Sequence, residues 1–279
     1  MVGVGSGRSG VATYLDDLLD AARRRVAEAR AAEPLEALRE RALAAPASPS
    51  FADALAGPGV AVIAEVKRAS PSRGSFAPDL DAAAQTRAYR DGGAAAVSVL
   101  TEPTEFSGDL DDLAAAATTG LPALRKDFIV EPYQVWEACA AGASAVLLIV
   151  AALDDVGLEQ LIATCDAATV DALVAVHDEE EAARAGVAGA SIVGVNARDL
   201  RTFDVDRDAF ARIRPHLPDG AIAIAESGIR GAEDVRAAAL AGADAVLVGE
   251  TLVTADDPRA AVAVLVAAGA SPLTATEYR

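Results

Sequence analysis

The chain has 279 residues, of which 52% are hydrophobic but only 4% aromatic, so its core must be built from Ala, Val, Leu and Ile, as in a single α/β barrel with strands buried on both faces. A net charge of −18 excludes nucleic acid and anionic lipid as partners, because an acidic surface repels both. No apolar run has membrane-spanning length, no signal peptide is recognisable, and the two cysteines, Cys139 and Cys165, lie outside any Cys-x-x-Cys pattern, so a reducing cytoplasm without disulfide or zinc is expected.

From the N-terminus, residues Met1 to Gly10 are rich in Gly and Ser and are expected to be disordered. Gly5-Ser6-Gly7-Arg8-Ser9-Gly10 matches Gly-x-Gly-x-x-Gly only formally, since no strand precedes it. Thr13 to Arg30 reads as a helix with Leu15, Leu18, Leu19 and Ala22 on one side and Thr13 as N-cap. Leu35 to Leu43 reads as a second helix. Pro46, Pro49, Pro58 and Gly59 mark a linker interrupted by Phe51 to Leu55. Residues 11–59 thus form a helical extension ahead of a barrel over 60–270, with a tail at 271–279.

From Val60 onward one unit keeps returning: a β-branched strand, a polar loop, an Ala-rich helix, a Gly, and the next strand. The strands predicted are Val60–Lys67, Ala96–Glu102, Pro122–Ile129, Ala145–Val150, Asp171–Asp178, Ile192–Arg198, Ala221–Ser227 and Ala245–Glu250. The joints Asp91-Gly92-Gly93-Ala94, Ala141-Gly142-Ala143, Ala185-Gly186-Val187 and Ala241-Gly242-Ala243 place a Gly where a helix C-cap takes a left-handed residue. Eight alternating strands imply a closed (β/α)8 TIM barrel, with a doubly wound open sheet as the alternative.

In such a barrel the active site lies at the C-terminal strand ends, and side-chain alternation decides which residues face inward. Glu65 and Lys67 share a face at the end of the first strand, Leu124, Lys126 and Phe128 on the third, Gly194, Asn196 and Arg198 on the sixth, and Ile222, Ile224 and Glu226 on the seventh. These groups are either structural ion pairs at a solvated rim or chemistry. Lys67 and Lys126 are the only two lysines of the chain. Arginine serves everywhere else, and it cannot release a proton near neutrality as a partly buried lysine can, so general acid work is the favoured reading. An anionic substrate of so acidic a protein needs a pocket that is locally positive or lined with amides. Ser227-Gly228-Ile229-Arg230 and Val248-Gly249-Glu250 follow the seventh and eighth strands, where barrels bind phosphate with glycine-exposed amides.

At this point the chain resembles the indole-3-glycerol-phosphate synthase family, over Val60 to Glu250. The matching segments are Ile63-Ala64-Glu65-Val66-Lys67-Arg68-Ala69-Ser70-Pro71-Ser72, Leu100-Thr101-Glu102-Pro103 with Phe106 and Gly108, Leu124-Arg125-Lys126-Asp127-Phe128, Gly194-Val195-Asn196-Ala197-Arg198-Asp199-Leu200, and Ala225-Glu226-Ser227-Gly228-Ile229. The acidic composition is similar to that of haloarchaeal proteins, whose self-repulsion salt screens. The resemblance implies a carboxy-lyase of tryptophan biosynthesis, without metal or cofactor, that closes an indole ring on an anthranilate-derived ribulose phosphate. It implies Lys126 as the acid, Lys67 on the phosphate or in a later dehydration, and Glu65, Asn196 and Glu226 positioning the lysines and the departing hydroxyls. Arg198 would hold the carboxylate, Ser70, Ser227, Gly228 and Gly249 the phosphate, and Phe106, Phe128, Leu147 and Leu247 the aromatic ring. The chain is read as a monomer.

One position departs from that family. Its usual fifth-strand glutamate, a proton acceptor in the dehydration, is replaced by Ala175 in Leu173-Val174-Ala175-Val176-His177-Asp178. His177, at the same parity, or a water stands in for it, or turnover is impaired. A barrel that binds the phosphate ester with little chemistry, and another sugar-phosphate barrel enzyme such as a phosphoribosyl isomerase, are the competing readings.

Overall fold

The computed structural model describes residues 14–71, 73–199 and 202–270. The readings made for residues 1–10, for Thr13 as a cap, for Ser72 and Leu200, and for the tail at 271–279 fall outside the described residues. Eight parallel strands close a barrel: β1 (Ala61–Val66), β2 (Ala96–Leu100), β3 (Ala123–Lys126), β4 (Ala145–Ile149), β5 (Asp171–Val176), β6 (Ile192–Asn196), β7 (Ile222–Glu226) and β8 (Ala245–Val248). β1 pairs with both β2 and β8, so the sheet has no open edge and the doubly wound alternative falls.

Among the described residues, three helices precede β1: α1 (Tyr14–Ala32), α2 (Leu35–Ala44) and α3 (Phe51–Leu55). The helices that follow are α4 (Ala82–Asp91), α5 (Leu110–Ala117), α6 (Pro132–Ala140), α7 (Asp155–Ala168), α8 (Glu179–Val187), α9 (Ala209–Ile213), α10 (Ala232–Leu240), α11 (Glu250–Val253) and α12 (Pro258–Gly269). A short antiparallel ribbon, Ala69–Ser70 against Gly74–Ser75, follows β1. The acidic composition serves the fold here. Asp81, Asp109, Asp154, Asp178 and Asp257 each accept a backbone N–H from the first turn of the helix they start, satisfying a donor that has no partner within the helix.

Strand alternation separates two apolar layers. Val62, Ala64, Val97, Val99, Val146, Leu148, Val193, Val195, Ala223 and Ala225 face the helices. Ile63, Ala96, Leu124, Leu147, Leu173, Ala175, Ile192, Ile224 and Leu247 fill the barrel interior. Both ends of that interior are covered by the extension. Phe51 and Leu55 of α3 belong to the interior cluster, and Ala52 donates to Asp171 at the start of β5, so α3 plugs the N-terminal end. Leu18, Leu19 and Ala22 of α1 join the same cluster from the opposite end.

Each strand is shorter than its sequence pattern, because terminal residues turn out of the ladder into the loops. β6 ends at Asn196, and Arg198 instead forms an isolated antiparallel bridge with Val205. Among the helix-to-strand joints, Gly93, Gly142 and Gly242 have positive φ as expected. Gly186 does not. It lies inside α8, and the left-handed position falls on Gly189 three residues later.

Candidate active site

The C-terminal ends of the strands open into a cleft of about 400 Å³. At its floor lies Glu65 of β1, with 3% of its surface exposed. Lys67 Nζ lies 2.8 Å from its Oε1, and Lys126 Nζ, from β3, lies 3.3 Å from its Oε2. Both ammonium groups therefore converge on one buried carboxylate. The charges set one another's protonation. Burial pushes the Glu65 carboxyl up, but Lys126 and Lys67 outweigh it and hold it at about 2.

The shift at Lys126 is opposite to the one expected from burial. Burial alone pulls the ammonium down, but Glu65 and then Glu226 outweigh burial and raise it above the ordinary lysine value. Glu226 of β7 is raised, chiefly by burial; Lys126 opposes the shift and Glu65 adds to it. The site thus holds the Lys126 ammonium between two buried carboxyls, Glu65 lowered by its lysines and Glu226 raised by burial.

Two glycines make this packing possible. A Cβ on Gly194 of β6 would collide with Glu226 Oε1, and one on Gly249 would collide with Glu65 Oε1. Gly249, assigned above only to anion binding, therefore also gives Glu65 its room. Asn196, paired in register with Glu226, accepts at Oδ1 from Ser227 Oγ at 2.8 Å and from the Arg198 N–H at 3.0 Å. Those bonds hold the two following loops and leave the Asn196 amide nitrogen for the cleft. Arg198 reaches the cleft although it is off the strand, its guanidinium anchored to the Phe203 carbonyl at 2.9 Å. Ser227 and Gly228 both have positive φ, which turns the chain sharply at the strand end.

The cleft brings together Glu65, Lys67, Ser70, Phe106, Lys126, Phe128, Asn196, Arg198, Glu226, Ser227, Gly228, Leu247 and Gly249. Leu147 instead lines an adjoining cavity of about 70 Å³, with Phe106, Phe128, Lys126, Ala175, His177 and Asn196 among its neighbours. Sequence reasoning missed Arg207 and Thr251, gave Arg230 no role of its own within the phosphate segment, and missed the roof. Tyr14, Leu15 and Leu18 of α1 line the cleft together with Phe203, whose ring meets Tyr14 edge-on at 5.3 Å. The apolar stripe of α1 was visible, but not what it covers. Arg25 fixes that helix, its guanidinium 2.9 Å from Asp127 Oδ1 and 3.4 Å from Glu102 Oε1. In a protein of charge −18, the cleft lining carries five cationic side chains against three carboxylates.

A model of the family described as indole-3-glycerol phosphate synthase matches residues 15–265. The chain belongs to that family. It is 57% identical over 264 residues to the indole-3-glycerol phosphate synthase of Mycolicibacterium vanbaalenii, covering 94% of this chain and 97% of the relative. It is 56% identical over 262 residues to that of Mycolicibacterium smegmatis, covering 94% and 96%. Among solved structures, a tryptophan synthase from M. tuberculosis superposes with TM-score 0.58 at 18% identity, over 80% of this chain and 99% of that one. A thiamine phosphate pyrophosphorylase from Pyrococcus furiosus does so with TM-score 0.55 at 17% identity, over 75% and 94%. These two likenesses concern the fold alone. Membership of the synthase family removes the isomerase alternative. Ala175, where the family resemblance calls for a carboxylate, is 2% exposed and borders the smaller cavity.

Proposed function

We propose that the protein is an indole-3-glycerol-phosphate synthase, a carboxy-lyase of tryptophan biosynthesis. It would convert 1-(2-carboxyphenylamino)-1-deoxyribulose 5-phosphate to indole-3-glycerol phosphate, carbon dioxide and water. The observation that carries this reading is the meeting of Lys67 and Lys126 on Glu65 inside a cleft richer in cations than in carboxylates.

The reaction needs a positive group where a ketone oxygen gains charge as the ring carbon attacks it. Lys126 fills that role. Glu65 and Glu226 keep it an ammonium, so its charge is in place before the oxygen needs it, and it gives its proton as that oxygen becomes basic. Carbon dioxide then leaves with the C–C electron pair remaining on the ring. Arg198 holds the carboxylate through a guanidinium fork. Ser70, Ser227, Gly228 and Gly249 receive the phosphate, with Lys67 on that anion or on the hydroxyl lost later. Phe106, Phe128, Leu147 and Leu247 hold the aromatic ring, while Glu65, Asn196 and Glu226 orient the lysines.

The protein is further read as a cytoplasmic monomer suited to salt, where screening relieves the repulsion of a −18 charge. No described helix is long and apolar enough to cross a membrane. Mixing purified protein with the ribulose phosphate ester and following indole fluorescence tests the activity. Product is expected, and its absence at saturating substrate would contradict the reading.

A further inference from the structure

The release of water at the end of that reaction requires a group that accepts a proton, and Ala175 offers none. Its cavity does. His177 continues the inward parity of Leu173 and Ala175 past the end of β5 and lines the same space as Lys126 and Asn196. Its Nδ1 lies 2.9 Å from Glu181 Oε2, and the same oxygen accepts the His177 backbone N–H at 2.8 Å. Glu181 is itself fixed, because its N–H is capped by Asp178 in the first turn of α8. A carboxylate on Nδ1 keeps the ring proton there and leaves Nε2 as a lone-pair acceptor. Nε2 is buried and has no hydrogen-bond partner among the described residues. A buried polar atom in that condition calls for an explanation.

The two carboxylates lining this cavity are already engaged. Glu102 accepts from Arg25 and from the Thr104 and Glu105 amides. Asp127 accepts from Arg25, Thr101, Arg125 and the Phe128 amide. The charged groups that bear on the imidazole are thus Glu181 behind it, Glu226, whose carboxyl feels its charge, and Lys126, Glu102 and Asp127 around the cavity.

We propose that His177 is the proton acceptor of the dehydration step, with Glu181 as its positioning residue; this rests on the synthase reading. The C–O bond at the former ketone carbon breaks, and its oxygen leaves as water with a proton from a lysine ammonium. The neighbouring ring carbon yields a proton to His177 Nε2, and the C–H electron pair becomes the ring double bond. The imidazolium formed is held by Glu181. Its proton returns to that lysine through solvent. One further proton from solvent, matching the negative charge lost with the carboxylate, restores the ammonium that protonated the ketone oxygen and closes the cycle.

The test compares wild type, H177Q, E181Q, A175E and the A175E/H177Q double variant in indole production and in binding of indole-3-glycerol phosphate. H177Q should lower kcat by roughly 100-fold or more while product affinity stays within about threefold. E181Q should lower kcat about tenfold. The double variant should recover at least about tenfold over H177Q, with the acidic limb of its kcat profile below that of wild type, because a carboxylate titrates lower than an imidazole. H177Q with a kcat within about threefold of wild type would overturn the proposal. So would a wild type that binds product and makes no indole while A175E makes it. Failure of every variant both to bind and to react would overturn the synthase reading itself.

Discussion

Glu65 and Lys126 stand on strands β1 and β3, which are not neighbours in the barrel, yet Oε2 and Nζ lie 3.3 Å apart across its interior. The pair spans β2, where the inward position opposite Glu65 is the small Ser98, fully buried. With Lys67 on the other carboxylate oxygen, Glu65 ties the two amines into one unit.

Lys126→Arg keeps a positive charge but not a proton that can be given up. It is expected to lower kcat by about 100- to 10,000-fold with product affinity nearly unchanged. Indole fluorescence gives the rate and calorimetric titration the affinity. A near-normal rate would remove Lys126 from the chemistry.

Glu65 is lowered from 4.5 to about 2 by its lysines, against burial. A carboxylate depressed in the folded state stabilises the fold above its unfolded value and loses that contribution as pH falls through its folded one. The contribution is on the order of 3 kcal/mol. Urea midpoints of wild type and Glu65→Gln should therefore differ most above about pH 5 and converge toward pH 2. A constant difference across that range would show that Glu65 is not held down by its lysines.

Gly194→Ala adds a methyl against the Glu226 carboxylate. Overpacking of this kind costs about 1–3 kcal/mol, and here it also displaces a group that supports Lys126. A lower melting temperature with a lower kcat is expected, and a crystal structure should show Glu226 moved. An unchanged rate would mean that the position of Glu226 matters little.

Arg25→Ala releases α1 from Asp127 and Glu102, both of which keep other donors. The barrel should stay folded while the roof loosens. KM is expected to rise about tenfold, equivalent to 1.4 kcal/mol, with kcat within about twofold. A fall in kcat at unchanged KM would assign α1 to the chemistry instead.

Much of the barrel was legible because strand alternation and glycine joints repeat, and a repeat tolerates a single misreading such as Gly186 for Gly189. The inward set at β1, β3, β6 and β7 followed from parity alone. Arg198 was placed in the cleft for the wrong reason, since it arrives from a loop that has left the strand and bridges Val205. The roof of α1 was illegible because an amphipathic stripe states that a helix is covered, not by what. Arg25, Glu102 and Asp127 are far apart in sequence and meet only when the barrel closes. The sign at Lys126 was missed because parity puts Glu65 and Glu226 on the inward face without giving their distances from the ammonium, and those distances decide whether they outweigh burial.

The chain's possession of only two lysines permits a direct measurement. Protein labelled with 13C at the lysine ε-carbon should give two side-chain NMR signals, one from each lysine. If both amines meet at Glu65, Glu65→Gln moves both signals, and indole-3-glycerol phosphate moves both again in the wild type. Displacement of one signal alone by Glu65→Gln, or of neither, would contradict the account.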